Sequence, residues 1–216
     1  MNITHAVEEE VIGDGLKAIF DRQKELMAKY HDIELRSGLM QTEDCPVNLD
    51  DKRGQARIKD FAWRVTEEVG EALDAYYQND MVHFAEELID GLHFLTELTI
   101  LSGLDYPIMI KDKDGVEELY EKGKALRQFE NGNRHGRIQG DVTELVMTLG
   151  MMCNCLKNKP WKQTNMVTDK ENFYNHLKDV WVIYFSLLSN VLEPDEIIQT
   201  YLKKSQVNKF RQRSNY

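Results

Sequence analysis

Two acidic pairs at short spacing are the residues best able to do chemistry in this chain: Glu68 and Glu71 in Glu67-Glu68-Val69-Gly70-Glu71, and Glu87 and Asp90 in Glu87-Leu88-Ile89-Asp90. Each pair is spaced i, i+3 within a helically periodic stretch. Its two carboxylates therefore occupy neighbouring parts of one helix face, about 4.5 Å apart along the axis. Burying such groups uncompensated costs several kcal/mol apiece, so they need protons, basic side chains or a cation. No Lys or Arg is spaced within the two helices to neutralise all four. A hard divalent cation such as Mg²⁺ takes oxygen ligands and keeps positions for water and phosphate, so facing pairs of this kind predict a Mg²⁺ site acting on a phosphorylated compound. The competing reading is a pair of solvated helix faces, the usual fate of glutamate-rich runs.

The elements that must position these acids are two helices, expected at about 57–78 and 82–102. On the first, Phe61, Val65, Val69, Ala72 and Tyr76 recur at steps of three and four, with Glu68 and Glu71 beside that stripe and Glu67 pointing away. On the second, Leu88, Leu92, Leu95 and Thr99 form one face, while Glu87 and Asp90 share theirs with Phe94, Leu98 and Leu101, so the acids are expected to face protein. Asn79-Asp80 breaks the pattern, with Asp80 as N-cap, and Gly103 and Pro107 end the second helix. So short a connection makes the helices antiparallel neighbours and brings the acidic pairs together.

Upstream, Val11, Leu16, Ile19, Phe20, Gln23, Leu26 and Met27 predict a helix over 11–30, with Gln23 near its apolar edge, where a lone glutamine is ordinarily a surface residue. Residues 37–54, with Ser37-Gly38, Cys45-Pro46 and Asn48, are loop chemistry, either a mobile flap or a connection. Asp112-Lys113-Asp114-Gly115 lacks the oxygen ligands of a calcium loop and predicts a turn. A polar helix follows over 116–130, then a glycine-rich linker over about 130–140.

Asp141-Val142-Thr143-Glu144 echoes Arg64-Val65-Thr66-Glu67, and Tyr184-Phe185 echoes His93-Phe94, as in a weak internal repeat of the helical pair. In the second copy Leu145, Thr148, Lys178 and Trp181 stand where the first has its acids, which suits packing rather than metal binding. Between its helices, Lys157, Lys159 and Lys162 surround Trp161 on a proline-stiffened loop that could hold a triphosphate tail; the alternative is a solvated basic loop. The chain then starts a last helix at Glu193-Pro194-Asp195-Glu196 and ends in a basic segment, a candidate anion contact.

A chain of 216 residues is long enough for one good core, and a single domain over 1–216 is expected, its acidic pair at 57–102 and its second helical half at 141–216. The net charge of −10 argues against a general nucleic-acid binder, though a small phosphorylated substrate can still bind through metal and a local basic cluster. The three cysteines lack a zinc-like spacing, the acidic N-terminus is unlike a signal peptide, and no run of about 18 apolar residues occurs. A cytosolic protein without a membrane span is expected.

E-x-x-E followed by E-x-x-D on adjacent helices resembles the all-α nucleoside triphosphate pyrophosphohydrolases, which include MazG-like enzymes and dimeric dUTPases. The ending narrows the resemblance. Tyr201, Lys204, Asn208, Arg211-Gln212 and Tyr216 are similar to the C-terminal K-N-x-x-N-x-x-R-Q-x-x-G-Y signature of dimeric dUTPases and phage dCTPase/dUTPases. Glu87-Leu88-Ile89-Asp90-Gly91-Leu92-His93-Phe94 resembles their E-x-V-D-x-x-H-F helix, and Gln23 matches the glutamine of their first motif. The likeness spans roughly residues 16–216. It departs at Ser205 and Asn215, where the family favours Asn and Gly, and at Tyr76-Tyr77-Gln78, where the family's Trp-Lys motif is absent.

The resemblance implies an all-α helical bundle with a degenerate second helical pair, and Mg²⁺-dependent conversion of dUTP, or dCTP, to the monophosphate and pyrophosphate. Glu68, Glu71, Glu87 and Asp90 would hold Mg²⁺ against the phosphates while a water attacks in line. Lys204, Asn208, Arg211 and Tyr216 would close over the nucleotide, with Arg211 on phosphate and Asn208, like Gln23, near base or sugar. Lys157 and Lys159 would supply the phosphate contacts of the missing motif. A homodimer with sites near the subunit interface is implied, and the likeness to phage enzymes points to work in a host cytoplasm. The alternatives are a MazG-like enzyme for other nucleotides and a non-catalytic helical binding protein.

Overall fold

A computed structural model describes residues 10–104, 114–127, 133–159 and 161–213. The fold is all-α: seven helices, with no strand among the described residues. They are α1 (Gly15–Ser37), α2 (Lys52–Tyr77), α3 (Met81–Leu101), α4 (Gly115–Arg127), α5 (Arg134–Cys155), α6 (Lys170–Leu188) and α7 (Pro194–Arg213).

Short acidic or amide side chains start most of these helices by accepting otherwise orphaned backbone N–H groups. Asp51 does so for Arg53 and Gly54, Asp80 for His83, Asn133 for Gly136 and Asp169 for Asn172. At α1 and α4 the capping is reciprocal. Asp14 accepts from Lys17 and Gly115, while Asp114 accepts from Gly15 and Val116, tying two helix starts far apart in the chain. Asp14 explains why α1 begins at Gly15 rather than at Val11. The helix also outlasts the expected end at Tyr30, because no breaker intervenes before Gly38, which closes it at φ 71° with its N–H bonded to the Leu35 carbonyl.

The expected break at Asn79-Asp80 is present, with Asn79 left-handed at φ 60°. The α2 start lies five residues earlier than expected, since Asp51 caps ahead of Arg57. The linker expected over 130–140 is corrected: Asn133 caps α5 directly, so Gly136 and Gly140 are helical. Residues 38–51 form a connection docked on the bundle. Val47 and Leu49 are buried, and Val47 N–H donates to the Leu101 carbonyl at 2.9 Å. Of the expected calcium-like turn, Asp112 and Lys113 lie outside the described residues.

α2 packs against α3, α5 against α6, and α1 and α7 against each other and against α3. All seven helices contribute buried apolar residues to one cluster. α3 is its central element, buried nearly all round from Glu87 to Leu101, which is what withdraws its acids from water. In the second pair two of the four substitutes pack in the core, while Thr148 is half-buried and Lys178 exposed. Leu145 and Trp181 are fully buried, and Trp181 Nε1 donates to Thr99 Oγ1 at 2.9 Å. Asp141 of the echo is buried and accepts from Ser186 Oγ at 2.8 Å, a strut between α5 and α6.

Candidate active site

α2 and α3 bring three of the four expected acids together. Glu68, Glu71 and Glu87 each offer an oxygen, all within 4.8 Å of one another. Glu71 is exposed, Glu68 partly so and Glu87 buried, so the cluster opens to solvent on the α2 side. That differs from the expectation that all four face protein: α2 carries its acids at the edge of its stripe, whereas α3 is enveloped. Glu67 lies outside the group, accepting from Trp63 Nε1 at 2.9 Å. Glu87 also meets His83 Nδ1, one helical turn back, at 3.1 Å.

The electrostatics register this crowding. Burial, followed by repulsion from Asp90 and Glu71 and a hydrogen bond with Glu87, pushes the Glu68 carboxyl up to about 8. Without a cation the cluster therefore keeps a proton near neutral pH. That proton stands where a hard divalent cation fits an all-carboxylate donor set, so the residues suit such a metal.

Asp90 sits beside this group with its carboxylate paired to Lys204 Nζ at 2.7 Å, across from α3 to α7. Burial raises its pKa, and Lys204 opposes that. Lys204, expected over the substrate, is thus held by an acid expected on the metal. One residue later on α3, Gly91 lets α6 approach. A Cβ there would overlap Tyr184 Oη and come within 3.2 Å of Glu68 Cβ, and Tyr184 donates to the Leu88 carbonyl at 2.7 Å.

Beside the acids lies a cavity of about 340 Å³, large enough for a small ligand, with Glu68 and Asp90 in its wall. Phe61 and Phe94 form an aromatic side with ring centroids 6.2 Å apart. The Arg64 guanidinium lies over both, 5.0 Å from Phe61 and 5.6 Å from Phe94. Gln23, His93 and Glu97 form a polar wall, and Asn208 reaches the cavity from α7.

Gln23 is buried rather than a surface glutamine. It donates from Nε2 to Glu97 at 2.9 Å, and its Oε1 receives Tyr201 Oη at 2.7 Å and His93 Nδ1 at 2.9 Å. His93 stacks on Tyr201 with centroids 3.8 Å apart.

Of the C-terminal signature, Lys204 and Asn208 reach the site, Tyr201 supports Gln23, Arg211 is exposed, and Tyr216 lies outside the described residues. Lys157 and Lys159 are not brought to the acids. Their loop is pinned to the opening turns of α2 through Asn158, whose N–H donates to Gln55 Oε1 and whose carbonyl accepts from Lys59 Nζ at 3.1 Å each. Lys59 precedes Glu68 by nine residues, about 14 Å of helix.

Missed from sequence were Arg64 and Glu97 and the use of Phe61, Phe94 and His93 as a cavity wall. The signal was available, since Phe61, Arg64 and Glu68 on α2, and Asp90, Phe94 and Glu97 on α3, recur at steps of three and four on the faces that carry the acids.

The profile of the family described as dUTPase matches residues 16–216, nearly the whole chain. The chain belongs to the dUTPase family. Neither a curated protein nor a solved structure matches it. Membership makes this protein a hydrolase, a dUTP pyrophosphohydrolase with a nucleotide substrate, and the Glu68, Glu71 and Glu87 group is its possible metal site. Among the described residues no helix of this dUTPase is long and apolar enough to cross a membrane.

Proposed function

We propose that this dUTPase acts with Mg²⁺, taking dUTP and secondarily dCTP to the monophosphate and pyrophosphate. The observation that carries the reading is that the acid cluster and the aromatic cavity adjoin, with Glu68 and Asp90 in the cavity wall. A nucleotide then has its base among Phe61, Phe94, Gln23 and His93 and its phosphates toward the acids. Glu68, Glu71 and Glu87 hold the cation, with Asp90 beside them; when bound, it neutralises phosphate charge and lowers the pKa of the attacking water. Lys204, paired with Asp90 on α3, is placed to turn toward phosphate, and Asn208 touches base or sugar. Arg211 and Tyr216 close the site from the chain end. Lys157 and Lys159 act on the nucleotide only if supplied by a second subunit.

The protein works as a homodimer. The resemblance supports this, as does the apolar exposure of Met147 and Met151 on α5, a surface suited to burial against a second copy. We read 1–216 as one domain and place the enzyme in the cytoplasm, of a phage host if phage-encoded. The deciding experiment is pyrophosphate release from a panel of deoxynucleoside triphosphates in Mg²⁺, with wild type and Glu68→Gln. Turnover of dUTP lost in the variant is expected. Turnover of dATP or dGTP without dUTP would select the MazG-like reading, and equal activity of both proteins would remove the metal role.

A further inference from the structure

The polar wall of the cavity contains a residue with no expected role. Glu97 is buried on α3, two turns beyond Asp90, and its partner is the Gln23 carboxamide. The carboxylate can only accept, so the Gln23 NH₂ faces it and Oε1 faces the other way, toward Tyr201 and His93. Oε1 can only accept, so Tyr201 Oη and His93 Nδ1 must both donate. Tyr201, whose pKa burial raises well above that of an ordinary tyrosine, keeps its proton for this bond. Burial likewise pushes the His93 imidazole down to about 3, so it is neutral, and with its proton on Nδ1 it carries a lone pair on Nε2. That Nε2 is buried and makes no hydrogen bond of ordinary geometry, in a residue that lines the cavity and lies beside the Tyr201 backbone. One negative charge on Glu97 thus sets, through two hydrogen bonds, the polarity of the unpaired atom that this wall leaves for a ligand.

We propose that Glu97 is a specificity-determining positioning residue: by locking the Gln23 amide it makes His93 Nε2 an acceptor, which takes the N3–H of a uracil ring and rejects the N3 lone pair of cytosine. The inference rests on the nucleotide reading above and deepens it. A neutral residue at 97 permits the inverted arrangement, in which residue 97 donates to Gln23 Oε1, Gln23 Nε2 donates to His93 Nδ1, and the histidine proton moves to Nε2. The wall then offers a donor, which suits N3 of cytosine. In the inverted arrangement Gln23 Nε2 also faces Tyr201 Oη, whose proton turns to Thr96, its other side-chain partner; the Gln23 carboxamide is paired at both ends either way, so the charge on Glu97 decides between them.

The test is the ratio of kcat/KM for dUTP to that for dCTP, in wild type and Glu97→Gln. A structural defect lowers both values and leaves the ratio alone, whereas the proposal expects it to fall by about 10-fold or more. An unchanged ratio in a folded variant overturns the proposal.

Should Glu97→Gln fail to fold, the wild-type protein is measured between pH 8 and 6. Glu97 is held up to about 7 by burial and by Glu34 of α1, with Gln23 of α1 and Arg57 and Arg64 of α2 opposing, while α7 brings Tyr201 to the network and its Lys204, with Arg22 of α1, acts on His93. The ratio is then expected to fall as pH drops, and protonation of the acid cluster, common to both substrates, cancels in it. A ratio constant across that range overturns the proposal. Absence of turnover on both substrates defeats the substrate reading itself and this inference with it, an outcome distinct from an unchanged ratio.

Discussion

Replacing Glu68 by Gln is expected to stabilise the metal-free protein at alkaline pH and to leave it unchanged in acid. The folded Glu68 holds its proton up to about 8, against 4.5 for a free side chain. Between those values the folded state binds more protons than the unfolded one, so stability falls as pH rises. The full difference sets a ceiling of ~5 kcal/mol at pH 8 and above, from 1.36 kcal/mol per tenfold change in proton affinity. Glu68 is partly exposed, and solvent screening reduces the expected effect to ~2 kcal/mol.

Gln copies the neutral carboxyl without its titration. The variant should therefore match wild type near pH 5 and melt about 4–8 °C higher near pH 8 for a chain of this size. Thermal unfolding followed by circular dichroism in EDTA, at steps from pH 5 to 9, reads this directly. Added Mg²⁺ should raise the wild-type melting temperature more than that of Glu68→Gln and narrow the gap, because a cation relieves the same repulsion. Parallel pH profiles for the two proteins would show that the acids do not crowd one another, and the argument for a cation site from electrostatics would fail.

Three further outcomes follow from the same geometry. Lys204→Met leaves Asp90 without its cation, so stability should drop by ~1–3 kcal/mol and kcat/KM by about 10-fold or more, checked by urea unfolding and steady-state kinetics. Gly91→Ala forces Tyr184 away from α3 and should cost ~1–3 kcal/mol by overpacking; adding Tyr184→Phe, which removes the overlapping hydroxyl, should recover part of the loss in denaturant melts. Arg64→Ala removes the guanidinium over Phe61 and Phe94 and should raise KM for dUTP more than it lowers kcat, by about 3–30-fold at ~0.5–2 kcal/mol per cation–π contact. An unchanged KM would mean that the aromatic wall does not meet the base.

The dUTPase family was legible in the chain because its marks are local. Acids spaced i, i+3, the Asp80 cap between two helices and the Lys204–Asn208–Arg211 ladder are patterns that one helix displays within a few turns. The same locality explains the correct reading of Leu145 and Trp181 as packing residues, since apolar side chains at stripe positions have no alternative to the core.

What the pattern left open was every relation across helices. Whether Gln23 is a surface amide or a buried one depends on α3 and α7 arriving on either side of it, 70 residues on through His93 and 178 through Tyr201. Asp90 looked equivalent to its three fellow acids until α7 delivered Lys204 to it. Lys157 and Lys159 looked available for phosphate until Asn158 and Gln55 fastened their loop to the other end of α2. A helix carries its own periodicity in its sequence. The partner of each buried polar group is chosen by how several helices pack, and the cost of leaving such groups unpaired is what settles the choice.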